Sequence, residues 1–187
     1  RGNRLESVSA VCNAPKTFQD YAQTEHNGDI EAAKETYDLG EMVTALVRTA
    51  SGQTFTLHHD THLPRPHSRY LQARSRKGLA EKNPKTRILL EGLSPAERDA
   101  HIHPLWKRLE ANRAGGRAIP EDYRLVQAIR KETAPDCDIY DAAAWSILGP
   151  MAEASLIRGG APVAIPDFTS GNWEKTRPLR VMDPTTY

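Results

Sequence analysis

The twelve residues HHDTHLPRPHSR, at positions 58–69, bring together many side chains that could do chemistry. Four histidines, one aspartate and two arginines stand among two prolines, directly after a stretch that alternates as a β-strand does. Imidazole, carboxylate and guanidinium groups can bind a metal, line a polar sheet edge, or recognise a hydroxyl-rich or anionic ligand. These three kinds of site require different arrangements of the same residues.

A metal site would need ligands on one face of the strand. His58 and His59 are adjacent and point to opposite faces, whereas His58, Asp60 and His62 share a face. The bend at Leu63-Pro64 moves the third ligand away, and no further ligand follows at a suitable spacing. Cys12 and Cys137 have no CxxC or Cys/His spacing around them. The sequence therefore predicts no metal site.

Two readings of the segment remain open. In one, the histidines are partly buried polar residues at a sheet edge. In the other, Pro64 and Pro66 stiffen the backbone, so that Arg65, His67 and Arg69 are aimed at a ligand with little loss of freedom on binding. Residue chemistry alone does not choose between them.

The length, the net charge and the apolar content limit the kinds of partner that the protein can have. With 187 residues the chain can form one domain with a real core, and we predict a single domain over residues 1–187. Lys plus Arg number 25 against 24 Asp plus Glu, so the net charge of +1 offers no bulk field to nucleic acid or an anionic membrane. No apolar run approaches the roughly 20 residues that span a bilayer. We expect neither nucleic acid nor membrane as a partner.

Strands dominate the first half of the sequence. Alternation and β-branched residues predict strands at Leu5–Cys12, Met42–Thr49 and Thr54–Asp60, the last with Phe55, Leu57 and His59 on one face. Further strands are predicted at 69–76, 79–82 and 86–91, which makes the middle of the chain an antiparallel meander. Residues 13–40 are predicted to be a long loop or insertion with at most a short helix.

Helices follow the strands. Ser94-Pro95-Ala96-Glu97 is a capping box that predicts a helix to about Asn112, and a second helix follows Pro120. A third is predicted from Ile139 to about Arg158 with a kink at Gly149-Pro150, and 161–187 form an extended arm. Strands followed by helices predict an α+β fold, a mostly antiparallel open sheet with helices packed on one face. There is no GxGxxG, phosphate-binding loop or GxSxG, so no cofactor cradle or nucleophile is visible.

Several ordered segments carry a family resemblance. They are YDLGEMVTALVRTASGQTFTLHHDTHLPRPHSR (37–69), HPLWKRLE (103–110), EDYRLVQAIR (121–130) and DIYDAAAWSILGPMAEASLIRGGAPVAIPDFTSGNW (138–173). Together they resemble the C-terminal domain of the Gfo/Idh/MocA oxidoreductase superfamily, and within it glycoside hydrolase family 109, the NAD-dependent α-N-acetylgalactosaminidases. The resemblance covers residues 1 to about 173.

The resemblance implies that cofactor binding and substrate binding lie in different domains. NAD would be bound mainly by an N-terminal Rossmann domain that this chain lacks, and the acid/base histidine would precede Arg1, so the chain alone would be inactive. In the implied glycosidase mechanism the sugar is oxidised at C3, the aglycone is eliminated, water adds, and the sugar is reduced again. The cofactor carries the difficult chemistry and the protein positions the sugar. The substrates would be N-acetylgalactosaminides or related sugars.

The resemblance also implies a substrate-binding set, which is His59, Asp60, Arg65, His67 and Arg69. Where family members commonly have RPYSR, this chain has His67, whose imidazole also donates a hydrogen bond but is shorter than a phenol. A glycine-rich GGHGGMD stretch of the family is reduced here to residues 114–117.

Two other functions are compatible with the same scaffold. One is an NAD(P)-dependent sugar or polyol dehydrogenase, and the other is a non-catalytic scaffold or oligomerisation module. Because family members associate through one sheet face, the resemblance implies a homo-oligomer through that face.

Overall fold

The computed structural model describes residues 2–24, 31–37, 40–60, 69–82, 86–101, 120–135 and 137–175. The chain divides into two compact units, Arg1–Pro64 with Asp136–Pro178 and Arg65–Pro135 with Leu179–Tyr187. The prediction of a single domain stays a prediction.

The first unit is built on a four-stranded antiparallel sheet in the order β3-β2-β1-β7. Strands β1 to β3 have the bounds that their alternation predicts, because successive side chains of a strand point to opposite faces of the sheet. Gly52, at φ 85°, permits the turn that joins β2 to β3. The elements are β1 (Leu5–Cys12), α1 (Lys16–Thr24), α2 (Glu31–Lys34), β2 (Met42–Thr49), β3 (Thr54–Asp60), α5 (Ile139–Ser146), α6 (Leu148–Ile157), β7 (Val163–Ala164) and a 3₁₀ helix (Asn172–Glu174).

One face of this sheet carries the core of the first unit. Val8 and Ala10 of β1 and Ala45 and Val47 of β2 are buried there, and Ile165 joins them after β7. Helix α6 packs on this face through Leu148, Met151, Ala152 and Leu156. The buried core residues are Val8, Ala10, Ala45, Val47 and Ile165. The intervening residues lie on the opposite face, where Val11 and Leu46 are exposed.

The helix predicted from Ile139 to about Arg158 is two helices, α5 and α6, that meet at Ile147. Pro150 has no N–H to bond the carbonyl of Ser146, the residue at which α5 ends. It lies in the first turn of α6, where an N–H would have no intrahelical partner. The break between the two helices at Ile147 therefore lies three residues before Pro150, the residue that causes it.

The described residues of the predicted long loop at 13–40 contain two helices, α1 and α2, where the sequence predicts at most one short helix. In the tail, the extended piece at 163–164 becomes the edge strand β7, which pairs with Ser7 and Val8 of β1. The described part of the predicted arm ends at Lys175.

The second unit contains a three-stranded antiparallel sheet in the order β4-β5-β6. The predicted capping box is present: the Ser94 N–H donates to the Glu97 carboxylate at 2.8 Å, and the Glu97 N–H donates to Ser94 Oγ at 3.4 Å. The helix that it starts is described as far as Ala100, and residues 102–119 lie outside the described part. The elements are β4 (Leu71–Ser75), β5 (Gly78–Lys82), β6 (Thr86–Leu90), α3 (Pro95–Ala100) and α4 (Pro120–Arg130).

The predicted α+β class is confirmed, since both described sheets are open and antiparallel and α6 packs on one face of the first. Across the described ranges, no helix combines the length and the apolar character needed to cross a membrane.

Candidate functional site

Strand β3 places His59 on the same side of the sheet as the core. His59 lies opposite Val43 in the register, and Leu57 lies opposite Ala45. Since side chains alternate along a strand, Phe55, Leu57 and His59 share one face, as predicted. In the structure this face is the one towards helix α6. His59 is exposed, because it lies at the end of this row, beyond the buried residues of the core.

His59 borders a cleft of about 460 Å³ between the sheet and α6. The sheet side is lined by Val43, Ala45, Leu57 and His59, and the helix side includes Leu148, Pro150, Glu153 and Leu156. Small-molecule sites typically enclose about 300–1,000 Å³ and combine apolar walls with a few polar groups. This cleft has that size and that composition.

Two polar side chains give the cleft its chemistry. The imidazole of His59 can donate and accept hydrogen bonds, and the carboxylate of Glu153 accepts them. The aliphatic walls suit the apolar face of a ring, while the two polar groups suit hydroxyls or an amide at its edge. The arrangement can bind and orient a sugar-like ligand.

Glu153 is not among the site residues that the sequence predicts. It is the one charged residue of α6, in the segment LGPMAEASLI. A lone charge in an otherwise apolar helix was the signal that could have found it. Its proximity to β3 depends on tertiary packing, which the sequence does not show.

The opposite face of β3 carries the neighbouring polar residues. The imidazole Nδ1 of His58 lies 3.1 Å from Thr44 Oγ1 on β2. Asp60 lies opposite Met42 at the end of the strand pair. His58 and Asp60 thus share a face, as predicted, and His62 lies outside the described residues. Within the described ranges, no three His, Cys, Asp or Glu side chains are grouped so as to hold a metal ion.

The predicted substrate-binding residues that the structure describes lie at three different places. His59 lines the cleft, and Asp60 points to the other face of the same strand. Arg69 is exposed and belongs to the second unit, just before β4. Arg65 and His67 lie outside the described residues. The five-residue set stays a prediction, with His59 as its member in the cleft.

A second hollow, of about 230 Å³, lies beside the tail of the first unit. Arg4 lies over the ring of Trp173, with its Cζ 5.8 Å from the centroid, and it also donates to the Leu5 carbonyl at 3.1 Å. A hydrogen bond from the Thr169 hydroxyl to Asp167 holds the pKa of that carboxyl below its usual range, with smaller contributions from the Thr169 and Gly171 amides. These groups hold the tail in place, and the hollow is smaller than typical ligand sites.

Comparison with known proteins identifies a family that this chain matches. Residues 1–175 match the family described as "Glycosyl hydrolase 109, C-terminal domain". The chain is 32% identical to a "Glycosyl hydrolase family 109 protein" of Solibacter usitatus, with 96% of this chain and 43% of the relative covered. It is 35% identical to an "Alpha-N-acetylgalactosaminidase" of Tannerella forsythia, over 95% of this chain and 40% of the relative.

A second protein named "Alpha-N-acetylgalactosaminidase", from Bacteroides fragilis, is 33% identical over 98% of this chain and 46% of its own length. The chain therefore spans less than half the length of these curated relatives.

Proposed function

This chain belongs to glycosyl hydrolase family 109, as its C-terminal domain, and on that premise we propose that it is the substrate-side part of a longer glycosidase. The proposed substrates are N-acetylgalactosaminides or related sugars. Support comes from the family match over residues 1–175, which carries the proposal, and from two relatives named for that activity. The cleft beside His59 gives the proposal a location.

In this proposal the chain binds and orients the sugar. The His59 imidazole donates a hydrogen bond to a hydroxyl or amide oxygen of the sugar, and Glu153 accepts one from a hydroxyl. Leu57 and Leu148 contact the apolar face of the ring. Asp60, Arg65, His67 and Arg69 remain proposed contributors to substrate binding.

NAD is the cofactor that the resemblance implies, but the described residues do not fit it. Both described sheets are antiparallel, whereas a dinucleotide cradle needs a parallel βαβ unit with a glycine-rich turn, and the sequence has no such turn. We propose that another part of the full-length enzyme holds NAD and carries the oxidation and re-reduction of the sugar. The residues of this chain hold the substrate during that cycle.

The experiment uses the full-length enzyme with an aryl α-N-acetylgalactosaminide as substrate. We expect release of the aryl group without net accumulation of NADH. Replacing His59→Ala removes one hydrogen bond and should raise KM by about 3- to 10-fold, the equivalent of about 1 kcal/mol. His58→Ala is the matched control, because it removes the same side chain from the opposite face of β3 and should leave KM unchanged.

Three results would count against the proposal. Net NADH accumulation during turnover would identify a sugar or polyol dehydrogenase instead. No turnover of any glycoside or sugar would favour a scaffold. An equal KM in the two histidine variants would remove the cleft from the site.

We further propose that the enzyme is a homo-oligomer that associates through the open face of the first unit's sheet. Val11 and Leu46 are 62% and 53% exposed on this face and are the apolar side chains that such a contact would bury. Leu46→Glu should shift the full-length enzyme towards monomer in light scattering. Leu125→Glu, at an equally exposed leucine of α4, is the control and should leave the mass unchanged.

A further inference from the structure

The three-stranded sheet of the second unit concentrates positive charge. Its described residues, 71–82 and 86–91, include five cations and two carboxylates, an excess of three in a chain whose net charge is +1. Four of the five cations are exposed, and Lys82 is half-buried. A local field of this sign attracts anions although the whole chain carries little net charge. The cations are Arg74, Arg76, Lys77, Lys82 and Arg87, and the carboxylates are those of Glu81 and Glu91.

One face of this sheet holds two of the guanidinium groups in place. Gln72 on β4, Glu81 on β5 and Arg87 on β6 lie side by side in the register. Nε of Arg87 donates to one oxygen of the Glu81 carboxylate at 2.6 Å, and the Gln72 amide donates to the other at 3.2 Å. The Gln72 carbonyl oxygen in turn accepts from Nε of Arg74 at 2.8 Å. This bond orients the Arg74 guanidinium, while its two terminal nitrogens can donate to a ligand.

The turn between β4 and β5 adds two cations at the end of the sheet. Arg76 and Lys77 are the two residues of this turn. Within the described ranges, neither side chain has a hydrogen-bond or ion-pair partner. The backbone of the turn is held in place, because the N–H of Glu91 donates to the carbonyl of Lys77 at 2.9 Å. The two cationic side chains can therefore bind an anion without giving up a contact inside the protein.

The spacing of the cations fits a ligand with repeated anionic groups. Two residues of extended chain span about 7 Å, which is the separation expected between Arg74 and Arg76. Neighbouring strands lie about 4.8 Å apart, so Arg87 on β6 lies about 10 Å across the sheet from β4. A single small anion would contact one of these groups at a time. A linear polymer with an anion on each repeating unit would contact several.

We propose that this basic surface, formed by Arg74, Arg76, Lys77 and Arg87, binds an anionic polysaccharide through the carboxylate or sulfate groups of its sugars. The inference rests on the proposed function, because a glycosidase meets glycans as its substrates. A second contact on the same glycan chain raises the effective concentration of the sugar at the cleft. Three of the four cations are arginines, whose planar guanidinium groups bind oxyanions through paired hydrogen bonds.

The residues of the sheet fit a polysaccharide better than a nucleic acid. Proteins that bind single-stranded nucleic acids stack successive bases on several aromatic side chains. Over residues 69–82 and 86–91, Tyr70 is the one aromatic residue. Carboxylate and sulfate groups on sugars need only the guanidinium and ammonium donors that this surface supplies.

Thermophoresis of the full-length enzyme with labelled polymers tests the proposal. Heparin carries sulfates and carboxylates, hyaluronan carries carboxylates alone, and uncharged dextran is the control. Heparin and hyaluronan contain no N-acetylgalactosamine, so neither probes the proposed sugar site. We expect heparin to bind, with a Kd that rises between about 50 and about 200 mM salt, and dextran not to bind. Binding of hyaluronan as well would show that carboxylates suffice, and binding of heparin alone would show that sulfates are required.

Two triple variants separate the basic surface from the overall charge. Neutralising three exposed cations of the surface should raise the Kd for heparin at least about fivefold at low salt, because each exposed ion pair contributes modestly and three are lost. Neutralising three exposed cations of the first unit changes the net charge equally and should leave the Kd unchanged. The surface variant combines Arg74→Gln, Arg76→Gln and Lys77→Gln, and the control combines Lys16→Gln, Lys34→Gln and Arg158→Gln.

Three results would overturn the inference. They are no binding of either anionic polymer at low salt, an equal Kd in the two triple variants, and a DNA duplex that binds more tightly than heparin at the same salt. The last result would identify a nucleic-acid surface instead.

The proposed function is read out separately, by turnover of an uncharged aryl glycoside, which the surface variant should process at the wild-type rate. An active glycosidase that binds no anionic polymer would overturn this inference alone. A protein that binds heparin through the basic surface but turns over no glycoside would overturn the proposed function and leave the anion-binding surface standing.

Discussion

The hydroxyl of Ser155 accepts a hydrogen bond from the backbone N–H of Ala10 at 2.9 Å, which joins helix α6 to strand β1. Strand β7 pairs with β1 only at Ser7 and Val8, so the N–H of Ala10 lies beyond the short edge strand. The same hydroxyl donates to the carbonyl of Ala161 at 2.7 Å. One side chain thus satisfies a buried strand N–H and ties the segment after α6 to the helix.

Ser155→Ala should therefore destabilise the protein. The substitution leaves a buried backbone donor without its partner, which costs about 1–3 kcal/mol. Chemical denaturation followed by circular dichroism would measure the change in the free energy of unfolding. Ser146→Ala removes an exposed hydroxyl from α5 and is the control. Equal effects of the two substitutions would show that the buried hydrogen bonds of Ser155 contribute little.

Asp138 caps helix α5 at its N-terminus. Its carboxylate accepts from the amides of Tyr140 at 2.9 Å and Asp141 at 3.0 Å, and the Asp141 carboxylate accepts from the Asp138 amide. Asp138→Ala should cost about 1 kcal/mol of stability, whereas Asp138→Asn keeps an acceptor and should retain most of it. Thermal unfolding of the two variants makes the comparison, and an asparagine as damaging as alanine would contradict the capping role.

Alternation made the strands of the first unit predictable. In Met42–Thr49 every second residue from Ala45 onward is buried, and in Leu5–Cys12 Val8 and Ala10 are buried, so period two in the sequence is also the period of burial there. Thr54–Asp60 is an edge strand without a fully buried residue, and its alternation shows only in the shared face of Phe55, Leu57 and His59. The Ser94–Glu97 capping box was predictable for a similar reason, since its partners lie three residues apart.

The cleft was predictable only in part. The facing of His59 follows from its place in β3, but the other wall comes from α6, and no local pattern assigns that helix to this end of the sheet. The bond between Ser155 and Ala10 spans 145 positions of sequence and is invisible for the same reason. The break at Ile147 shows a smaller limit: Pro150 signalled an interruption, but the bond that it removes starts four residues earlier.

Gly78 and Gly149 offer opposite tests of packing. A Cβ at Gly78, the first residue of β5, would collide with the carbonyl oxygen of Leu89 on β6, whereas a Cβ at Gly149 meets open space in α6. Gly78→Ala should destabilise the second unit's sheet by about 1–3 kcal/mol. Gly149→Ala should be neutral or stabilising by up to about 1 kcal/mol, because alanine favours a helix. Hydrogen exchange of the β5 amides and of the α6 amides would report each effect locally, and a Gly78→Ala protein with unchanged β5 protection would contradict the collision.

Asp167 makes the turn before the 3₁₀ helix sensitive to acid. Its carboxylate accepts from the Thr169 hydroxyl at 2.7 Å, the Thr169 amide at 2.9 Å and the Gly171 amide at 2.8 Å, and the first of these contributes most to lowering its pKa. A carboxyl whose pKa is lower in the folded state stabilises that state above its unfolded pKa, and this stabilisation is lost as the pH falls through the folded pKa. The turn should therefore keep its structure at neutral pH and loosen only below about pH 4. NMR titration of the Thr169 and Gly171 amides would show one shared midpoint below the usual aspartate range, and Asp167→Asn should abolish it. A midpoint at or above that range would mean that these hydrogen bonds do not favour the ionised carboxylate.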